Sequence, residues 1–248
     1  MQSKDERKII WVTGGTKGLG LEIAKTFGKL GNTVLTNYSD DDSSASQVLN
    51  MIKEEQIDIK IFKADVTKRE QIREIVEYAK DTYGRLDLLI NNAGRGLVGR
   101  AEEVSFEEFQ EIIDVNLTGK YNCIDIALPL LKKSNEASII NIASSSGTYP
   151  SGNMSAYCCG AAGVIMMTRC LAQDLSEWNI RVNCISPSML ESGMSAVCFS
   201  EFDRECVKKQ NPQQRLGTFE DVINCIKWLC SKEAQYINGE NIMITGGK

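Results

Sequence analysis

Seven short apolar runs alternate with longer amphipathic stretches along this chain. The apolar runs are each about the length of a β-strand and cover residues 8–13, 33–37, 59–63, 86–91, 137–143, 180–185 and 241–245. They lack the alternating polar positions of a half-exposed strand, which is typical of strands buried on both faces. Connections of helix length separate them, so the pattern predicts an α/β fold with a doubly wound, parallel seven-stranded sheet.

Several helix starts are marked by residues that cap a first turn. Capping boxes or close variants pair Thr67 with Glu70, Ser105 with Glu108, and Thr218 with Asp221. The helix that opens at Ser105 is predicted to run to about Lys133, and a second long helix follows Gly152. Both helices are longer and more apolar than packing against the sheet alone requires, so we predict that they also form a subunit interface. An ordinary core-facing stripe would explain their periodicity equally well.

Length and charge restrict the domain count and the partners. The chain has 248 residues and no linker-like stretch, so a single domain over residues 1–248 is expected. A net charge of -5, with both signs spread along the chain, argues against a nucleic-acid partner. Residues 137–168 carry no charge, but Pro150 and many polar side chains argue against a membrane span.

Two other features of the composition restrict the location and the chemistry. Residues 1–8 are charged and lack the apolar core of a signal peptide, so a cytoplasmic location is expected. Nine cysteines without a CxxC pair fit a reducing compartment. The absence of histidine excludes a Ser-His-Asp triad, a histidine base and a histidine-bound metal. Acid–base chemistry would therefore depend on Tyr, Lys, Cys or a carboxylate.

A glycine-rich turn lies between the first apolar run and a helical pattern. Its candidate phosphate-binding residues are Gly14, Thr16, Lys17, Gly18, Leu19 and Gly20. A strand, a glycine turn and a helix start, in that order, place backbone N–H groups and the positive end of a helix against a pyrophosphate. The turn therefore predicts a bound dinucleotide.

Further motifs follow the glycine turn along the chain. They are Asp65-Val66, Asn91-Asn92-Ala93-Gly94, Asn116 within Val115 to Gly119, Ser144, Tyr157 and Pro187. With these motifs the chain resembles the short-chain dehydrogenases/reductases over essentially its whole length, and it is most similar to the branch that contains 3-oxoacyl-acyl-carrier-protein reductases. The resemblance implies a Rossmann-like fold, a nicotinamide cofactor and reduction of a carbonyl group.

The resemblance also implies cofactor contacts beyond the glycine turn, made by Asp65, Val66, Asn91, Ala93, Gly94 and Pro187. Asp65 would meet the adenine amino group, although a charge placed before a helix start is an alternative role. The residues from Asn91 to Gly94 would support the adenosine ribose and the nicotinamide half, whereas a plain strand-to-loop turn is the alternative. Ser188 replaces the glycine that usually follows Pro187, in the loop against the nicotinamide carboxamide.

Cofactor choice depends on the end of the second strand, where a carboxylate would bind a ribose 2'-hydroxyl and repel a 2'-phosphate. Tyr38 and Ser39 occupy that place and carry no carboxylate. Lys17 would pair with the 2'-phosphate, so NADP(H) is predicted in preference to NAD(H). The aspartates at positions 40–42 follow closely and argue for the opposite choice.

The resemblance assigns the chemistry to three residues. Ser144 would polarise the substrate carbonyl, Tyr157 would donate the proton, and Asn116 would hold a relay water or, alternatively, bridge a helix kink. The family carries a lysine four residues after this tyrosine, where the chain has Ala161. That lysine would bind the nicotinamide ribose and lower the pKa of the tyrosine. Arg95 is a speculative substitute for it.

Three functional hypotheses follow. The first is an NADPH-dependent ketoreductase for a free or carrier-bound oxoacyl group, slowed by the loss of the lysine. The second is a catalytically impaired dinucleotide-binding subunit that pairs with an active paralogue, and the third is non-reductive chemistry.

Residues 189–210 match the family's substrate lid, and their apolar side chains indicate either an apolar substrate or a helix packed on the core. A homotetramer, or a heteromer with a paralogue, is expected.

Overall fold

The computed structural model describes residues 7–247. The strands are β1 (Ile9–Thr13), β2 (Thr33–Tyr38), β3 (Ile59–Lys63), β4 (Leu88–Asn91), β5 (Ser138–Ile142), β6 (Arg181–Pro187) and β7 (Asn241–Ile244). The α-helices are α1 (Gly18–Lys29), α2 (Asp42–Glu55), α3 (Arg69–Tyr83), α4 (Phe106–Ile113), α5 (Gly119–Leu131), α6 (Ser155–Asp174), α7 (Met194–Cys198), α8 (Glu201–Gln210) and α9 (Phe219–Leu229).

The seven strands form one sheet in the order β3-β2-β1-β4-β5-β6-β7. Strand β1 pairs in parallel with both β2 and β4, so that Ile10 lies opposite Val34 on one side and Leu88 on the other. The strand bounds agree with the apolar runs to within two residues. The predicted α/β fold with a doubly wound, parallel seven-stranded sheet is therefore confirmed.

The burial of β1 explains why its sequence has no alternating polar positions. All five of its residues are buried. Trp11 is the largest side chain among them, and its indole Nε1 donates a 3.1 Å hydrogen bond to Oδ1 of Asn37 on the adjacent strand. Because helices cover both faces of such a sheet, every position of an inner strand faces apolar packing.

Contacts group the chain into two compact units. The first unit contains the described residues up to Ala93, together with Gly119–Ile139 and Leu175–Ile180. The second contains Gly94–Thr118, Ile140–Asp174 and the described residues from Arg181 onward. The single domain over residues 1–248 stays a prediction. The charged N-terminal segment used to argue against a signal peptide lies, up to residue 6, outside the described residues.

Two of the three predicted capping boxes are present, at Ser105 with Glu108 and at Thr218 with Asp221. The box predicted at Thr67 is wrong, because Lys68 is the N-terminal cap of α3 and makes no side-chain capping bond. The backbone N–H and the hydroxyl of Thr67 instead donate to Oδ1 of Asp65, at 2.8 Å and 2.9 Å. A nearby aspartate competes for the groups that would have formed the cap.

The long helix predicted from Ser105 to about Lys133 is divided. A π-helical turn, Asp114–Thr118, separates α4 from α5. Helix α6 packs closely on this turn through two glycines: a Cβ added to Gly160 would lie 3.2 Å from Cβ of Asn116, and one added to Gly163 would lie 2.7 Å from a methyl group of Leu117. The sequence pattern shows the apolar face of this segment but not its change of pitch.

Helix α6 is the one helix in residues 7–247 that has the length and apolar composition of a membrane span. The core helix of a globular protein passes the same test. Ala156, Val164 and Thr168 of α6 are buried within the second unit, where the helix packs on β6. Its composition is therefore weak support for a membrane location.

Candidate cofactor cradle and catalytic pair

The glycine turn of the first unit has a backbone that requires its glycines. Gly14 and Gly18 have positive φ angles of +68° and +55°, which side chains other than glycine rarely adopt. A Cβ added to Gly20 would lie 2.3 Å from the carbonyl oxygen of Gly14. Side chains at these positions would be strained or would collide with the protein's own backbone, so the glycines permit the tight turn that a pyrophosphate-binding loop needs.

The first turn of α1 supplies the donors for such a group. Lys17 is the N-terminal cap of α1 and makes no side-chain capping bond, so no cap side chain occupies the first-turn N–H groups. Leu19 lies in this turn and is half-buried, whereas Thr16 before it is buried. Unpaired N–H groups and the positive end of a helix dipole bind anions.

The turn after β4 lies against the glycine turn within the first unit. The hydroxyl of Thr13 accepts hydrogen bonds from the backbone N–H groups of Asn92 and Ala93, at 3.0 Å and 2.9 Å. A Cβ added to Gly14 would lie 3.1 Å from Cα of Ala93. Asn91, the last residue of β4, is fully buried. Residues at the ends of two strands thus form one continuous cradle, and the binding of a cofactor in it stays a prediction.

Sequence reasoning missed Lys120 in this cradle. Its ammonium Nζ donates to the backbone carbonyl oxygens of Asn91, at 3.0 Å, and Ala93, at 2.7 Å. The signal was available, because Lys120 shares a helix face with Cys123, Ile124 and other buried apolar residues of α5. A charged residue on an apolar stripe is an exception that needs a partner.

The end of β3 agrees with the alternative interpretation of Asp65. Its carboxylate accepts two hydrogen bonds from Thr67 and closes the turn before α3. The carbonyl oxygen of the neighbouring Val66 accepts a 3.1 Å hydrogen bond from Nδ2 of Asn122. An adenine contact by Asp65 stays a prediction.

The end of β2 carries the residues that were expected to select the cofactor. Nζ of Lys17 lies 3.1 Å from a carboxylate oxygen of Asp41. Hydrogen bonds from Ser44 and then this ammonium lower the pKa of Asp41 to about 2. The amine predicted to meet a 2'-phosphate is therefore paired with one of the aspartates that argued against it.

The two uncharged residues at this strand end are also bound to aspartates. The hydroxyl of Tyr38 donates to Asp42 at 2.9 Å, and this bond is the main cause of a raised pKa of Tyr38. The hydroxyl of Ser39 donates to Asp40, also at 2.9 Å. Both hydroxyl groups at the end of β2 are thus paired with carboxylates.

Ser144 and Tyr157 are brought together within the second unit. Ser144 follows β5, and Tyr157 lies in the first turn of α6. The two side chains are hydrogen-bonded, which lowers the pKa of Tyr157, but burial has the larger effect and raises that pKa above its ordinary value of 10.0. The sulfur groups of Cys198 and Cys158 raise it further. Tyr157 is therefore a protonated phenol at neutral pH.

One helical turn after Tyr157, Ala161 is buried. A Cβ added to Gly147 would lie 2.7 Å from the carbonyl carbon of Ala161, so the loop after Ser144 packs directly on this turn of α6. The methyl group of Ala161 carries no charge and donates no hydrogen bond. The effects on the pKa of Tyr157 accordingly include no cationic group.

Asn116 lies in the π-helical turn and binds a backbone segment. Its Oδ1 accepts from the N–H of Arg95 and its Nδ2 donates to the carbonyl of Arg95, both at 2.8 Å. These two bonds join the π-helical turn to the loop after β4. Neither the relay water nor a bridge across a helix kink is tested by them, and both stay predictions. The guanidinium of Arg95 forms an ion pair with Glu111 at an exposed position. Its charge is therefore already paired within the second unit.

The remaining predicted site residues of the second unit lie at strand and helix ends. Gly94 begins this unit, and Pro187 ends β6. The N–H of Ser188 donates to the carbonyl of Ile244 at 2.9 Å, so the replacement of glycine leaves the pairing with β7 intact. In the lid region 189–210, neither α7 nor α8 has a buried residue, which argues against the alternative of a core-packed helix.

The family described as short chain dehydrogenase matches residues 8–201. Glucose 1-dehydrogenase 2 of Bacillus subtilis strain 168 is 34% identical over 242 residues, which cover 97% of this chain and 94% of that protein. The 3-oxoacyl-acyl-carrier-protein reductase of Thermotoga maritima is also 34% identical, over 98% of both chains.

Other relatives carry different substrate names. A 3beta-hydroxysteroid dehydrogenase 1 of Eggerthella lenta is 33% identical over 97% of this chain and 93% of its own. Among solved structures, the ligand-free aldohexose dehydrogenase of Thermoplasma acidophilum has a TM-score of 0.86 at 27% identity, covering 97% of this chain and 93% of its own. Fold, motifs and near-complete coverage agree, and the chain belongs to the short-chain dehydrogenase family of nicotinamide-dependent oxidoreductases.

Proposed function

We propose that this protein reduces a carbonyl group of a 3-oxoacyl-type substrate with NADPH, using Tyr157 as the proton donor and Ser144 as the carbonyl polariser. The hydrogen-bonded Ser144–Tyr157 pair carries the proposal, because it unites a hydroxyl donor and a weak acid in one partly buried place. Named relatives that act on a sugar, a steroid and an oxoacyl group share oxidoreduction at one carbon–oxygen bond. Because the named substrates of these relatives differ, the relatives support the type of reaction more strongly than any single substrate.

The cofactor would be held by the cradle of the first unit. The N–H groups at the start of α1 would bind the pyrophosphate, and the turn after β4 would support the nicotinamide half. When bound, the nicotinamide supplies the hydride that the carbonyl carbon receives. The glycines of the turn permit the tight backbone path that close approach to a phosphate requires.

Residues of the second unit would polarise the carbonyl group and supply the proton. The hydroxyl of Ser144 would donate a hydrogen bond to the carbonyl oxygen, and Tyr157 would transfer its phenolic proton to the same oxygen, which completes the alcohol. The proton leaves behind a phenolate in a partly buried place, where desolvation raises the pKa of Tyr157. Because Ala161 supplies no charge to stabilise that phenolate, we propose a slow enzyme.

The raised pKa of Tyr157 gives the reaction a specific pH dependence. Carbonyl reduction needs the protonated phenol, so its rate stays constant through neutral pH and falls only above the ordinary tyrosine value of 10.0. Alcohol oxidation needs the phenolate, so its rate rises with pH without a plateau below that value. Profiles of kcat/KM against pH in both directions test this. An oxidation plateau below about pH 9 would mean that another group lowers the pKa of Tyr157.

The ion pair between Lys17 and Asp41 predicts an effect on cofactor choice. Asp41→Asn keeps a side-chain oxygen for the helix cap but removes the charge, which frees Lys17 for a 2'-phosphate. We expect NADPH to bind a few-fold more tightly and the affinity for NADH to change little, since exposed charges are screened. Equilibrium titration of both cofactors checks this, with Asp40→Asn as the matched control. Equal effects on NADPH and NADH would contradict it.

A catalytically impaired, dinucleotide-binding subunit is the second candidate function. The raised pKa of Tyr157 and the apolar side chain of Ala161 favour it, because the phenol is a weak donor without a nearby cation. Purified protein that turns over alone would exclude this candidate. Protein that binds NADPH, is inactive alone and co-purifies with an active paralogue would support it.

Assembly, location and substrate class are also proposals. Tyr121 on α5 and Met166 on α6 are exposed, which favours a homotetramer or heteromer formed through these helices. Nine cysteines without a disulfide in residues 7–247 fit a cytoplasmic location. Val197 and Phe202 of the lid region are largely exposed, at 87% and 77%, which favours a small or carrier-bound substrate with an apolar acyl group.

A further inference from the structure

Residues 95–99 of the loop after β4 run alongside the first turn of α6. At one end, the N–H of Gly99 donates a 2.8 Å hydrogen bond to the carbonyl oxygen of Asn153, just before α6. At the other end, Asn116 binds the backbone of Arg95 through its two 2.8 Å bonds and itself packs on the second turn of α6. The loop is therefore fixed beside the turn that carries the phenol.

Helix α7 rests on this loop at Gly96. A Cβ added to Gly96 would lie 2.6 Å from Sγ of Cys198 and 3.2 Å from Sδ of Met194, so both sulfur groups contact the glycine backbone. These two residues are one helical turn apart and share a face of α7. Val197 lies on another face and is 87% exposed. The sulfur-bearing face of α7 is thus turned towards the loop, and no side chain fits at position 96 without displacing it.

The start of α7 is fixed separately from this contact. Gly193, just before the helix, has a φ angle of +75°, and a Cβ added there would lie 3.2 Å from an aromatic ring of α9. The hydroxyl of Ser195 donates to the carbonyl oxygens of Leu190 and Ser192. Because the start is held in this way, the position of the other end of α7 depends on how closely it approaches Gly96.

The sulfur of Cys198 also lies near the Ser144–Tyr157 pair. It is one of the groups that raise the pKa of Tyr157. Burial raises the pKa of the Cys198 thiol as well, so this thiol is uncharged at neutral pH. An uncharged thiol and a thioether behave as apolar groups, so α7 presents an apolar wall on this side of the pair.

We infer that Gly96 is a specificity-determining residue: because it has no side chain, the sulfur-bearing face of α7 lies close to the Ser144–Tyr157 pair and leaves room only for a short acyl group beside the reacting carbonyl. The inference rests on the proposed function, which places the substrate carbonyl at that pair. A side chain at position 96 would hold α7 away from the loop and make room for a longer group.

The experiment compares the unmodified protein with Gly96→Ala and with Gly99→Ala as the matched control. Neither glycine has a positive φ, so alanine fits both backbones. A Cβ added to Gly99 would lie 2.8 Å from a methyl group of Val104 and would meet no atom of α7. Values of kcat/KM are measured with NADPH for acetoacetyl and 3-oxooctanoyl thioesters. Alkylation of Cys198 by iodoacetamide, followed by mass spectrometry, reports the position of α7 without turnover, and thermal unfolding reports whether each variant is folded.

The unmodified protein should prefer the acetoacetyl thioester. Gly96→Ala should move the ratio of the two kcat/KM values about tenfold towards the longer substrate, the lower part of the range for one methylene group in an apolar pocket. It should also make the alkylation of Cys198 faster, whereas Gly99→Ala should change neither quantity. Cys198→Ala only removes atoms from the wall, so it should move the ratio in the same direction, and it replaces Gly96→Ala as the test if that variant does not fold.

An unchanged substrate ratio or an unchanged alkylation rate in folded Gly96→Ala overturns the inference, and so does an equal change in Gly99→Ala. If Gly96→Ala does not fold, an unchanged ratio in Cys198→Ala overturns it. The unmodified protein separates the inference from the function on which it rests. If it reduces neither thioester, the proposed function fails and the inference fails with it, but if it reduces both equally well, the inference alone fails.

Discussion

Tyr157→Phe is expected to lower the turnover of carbonyl reduction by about 10²- to 10⁴-fold, the usual contribution of a positioned proton donor. The substitution removes only the phenolic oxygen that is hydrogen-bonded to Ser144, and the ring continues to fill its place in α6. Cofactor affinity should stay the same, because the proposed cradle lies in the first unit. Steady-state rates and NADPH titrations on the same preparation measure both.

Tyr149→Phe is the matched control for this substitution. Tyr149 lies close in sequence but is 57% exposed, so its hydroxyl should be dispensable. The control should retain full turnover. If Tyr157→Phe also retained full turnover, the proton would come from another group and the Ser144–Tyr157 pair would have no catalytic role.

Ala161→Lys is expected to raise turnover by about 10²-fold, the lower part of the range for an acid–base partner. Positions 157 and 161 share one helix face, so an ammonium there would stabilise the phenolate and lower the pKa of Tyr157. The pH midpoint of alcohol oxidation should fall with it. Rates in both directions, measured against pH, report the two effects.

The adjacent Ala162→Lys is the control for adding a charge to α6. Ala162 is exposed, whereas Ala161 is buried, so the second lysine points to solvent and should change neither rate nor pH profile. Equal gains in both variants would indicate a general electrostatic effect. No gain in a folded Ala161→Lys protein would mean that the phenol already works without a cation.

The sheet could be predicted from the sequence because buried parallel strands leave unbroken apolar runs. The capping boxes at Ser105 and Thr218 depend only on residues close together in sequence, and both were confirmed. The box at Thr67 was wrong, since Asp65 formed a turn with the same groups. The π-helical turn at Asp114–Thr118 was missed because hydrophobic periodicity does not register one extra residue per turn.

The candidate site likewise contains features that the sequence predicts and contacts that it does not. Glycines with positive φ, such as Gly14, follow from a strand–turn–helix pattern. The pair of Lys17 with Asp41 depends on where α2 begins, and the position of Lys120 depends on how α5 meets β4. Such contacts between elements distant in sequence require the folded structure. Lys120 on an apolar stripe was nonetheless a visible exception.

The most direct test is steady-state oxidation of NADPH by the unmodified protein with an acetoacetyl thioester, with the Tyr157→Phe protein as the blank. We expect a slow rate above this blank, with one alcohol formed for each NADPH consumed. A rate no different from the blank across a panel of 3-oxoacyl thioesters, in protein that binds NADPH, would contradict it. The dinucleotide would then serve a function other than reduction by this chain.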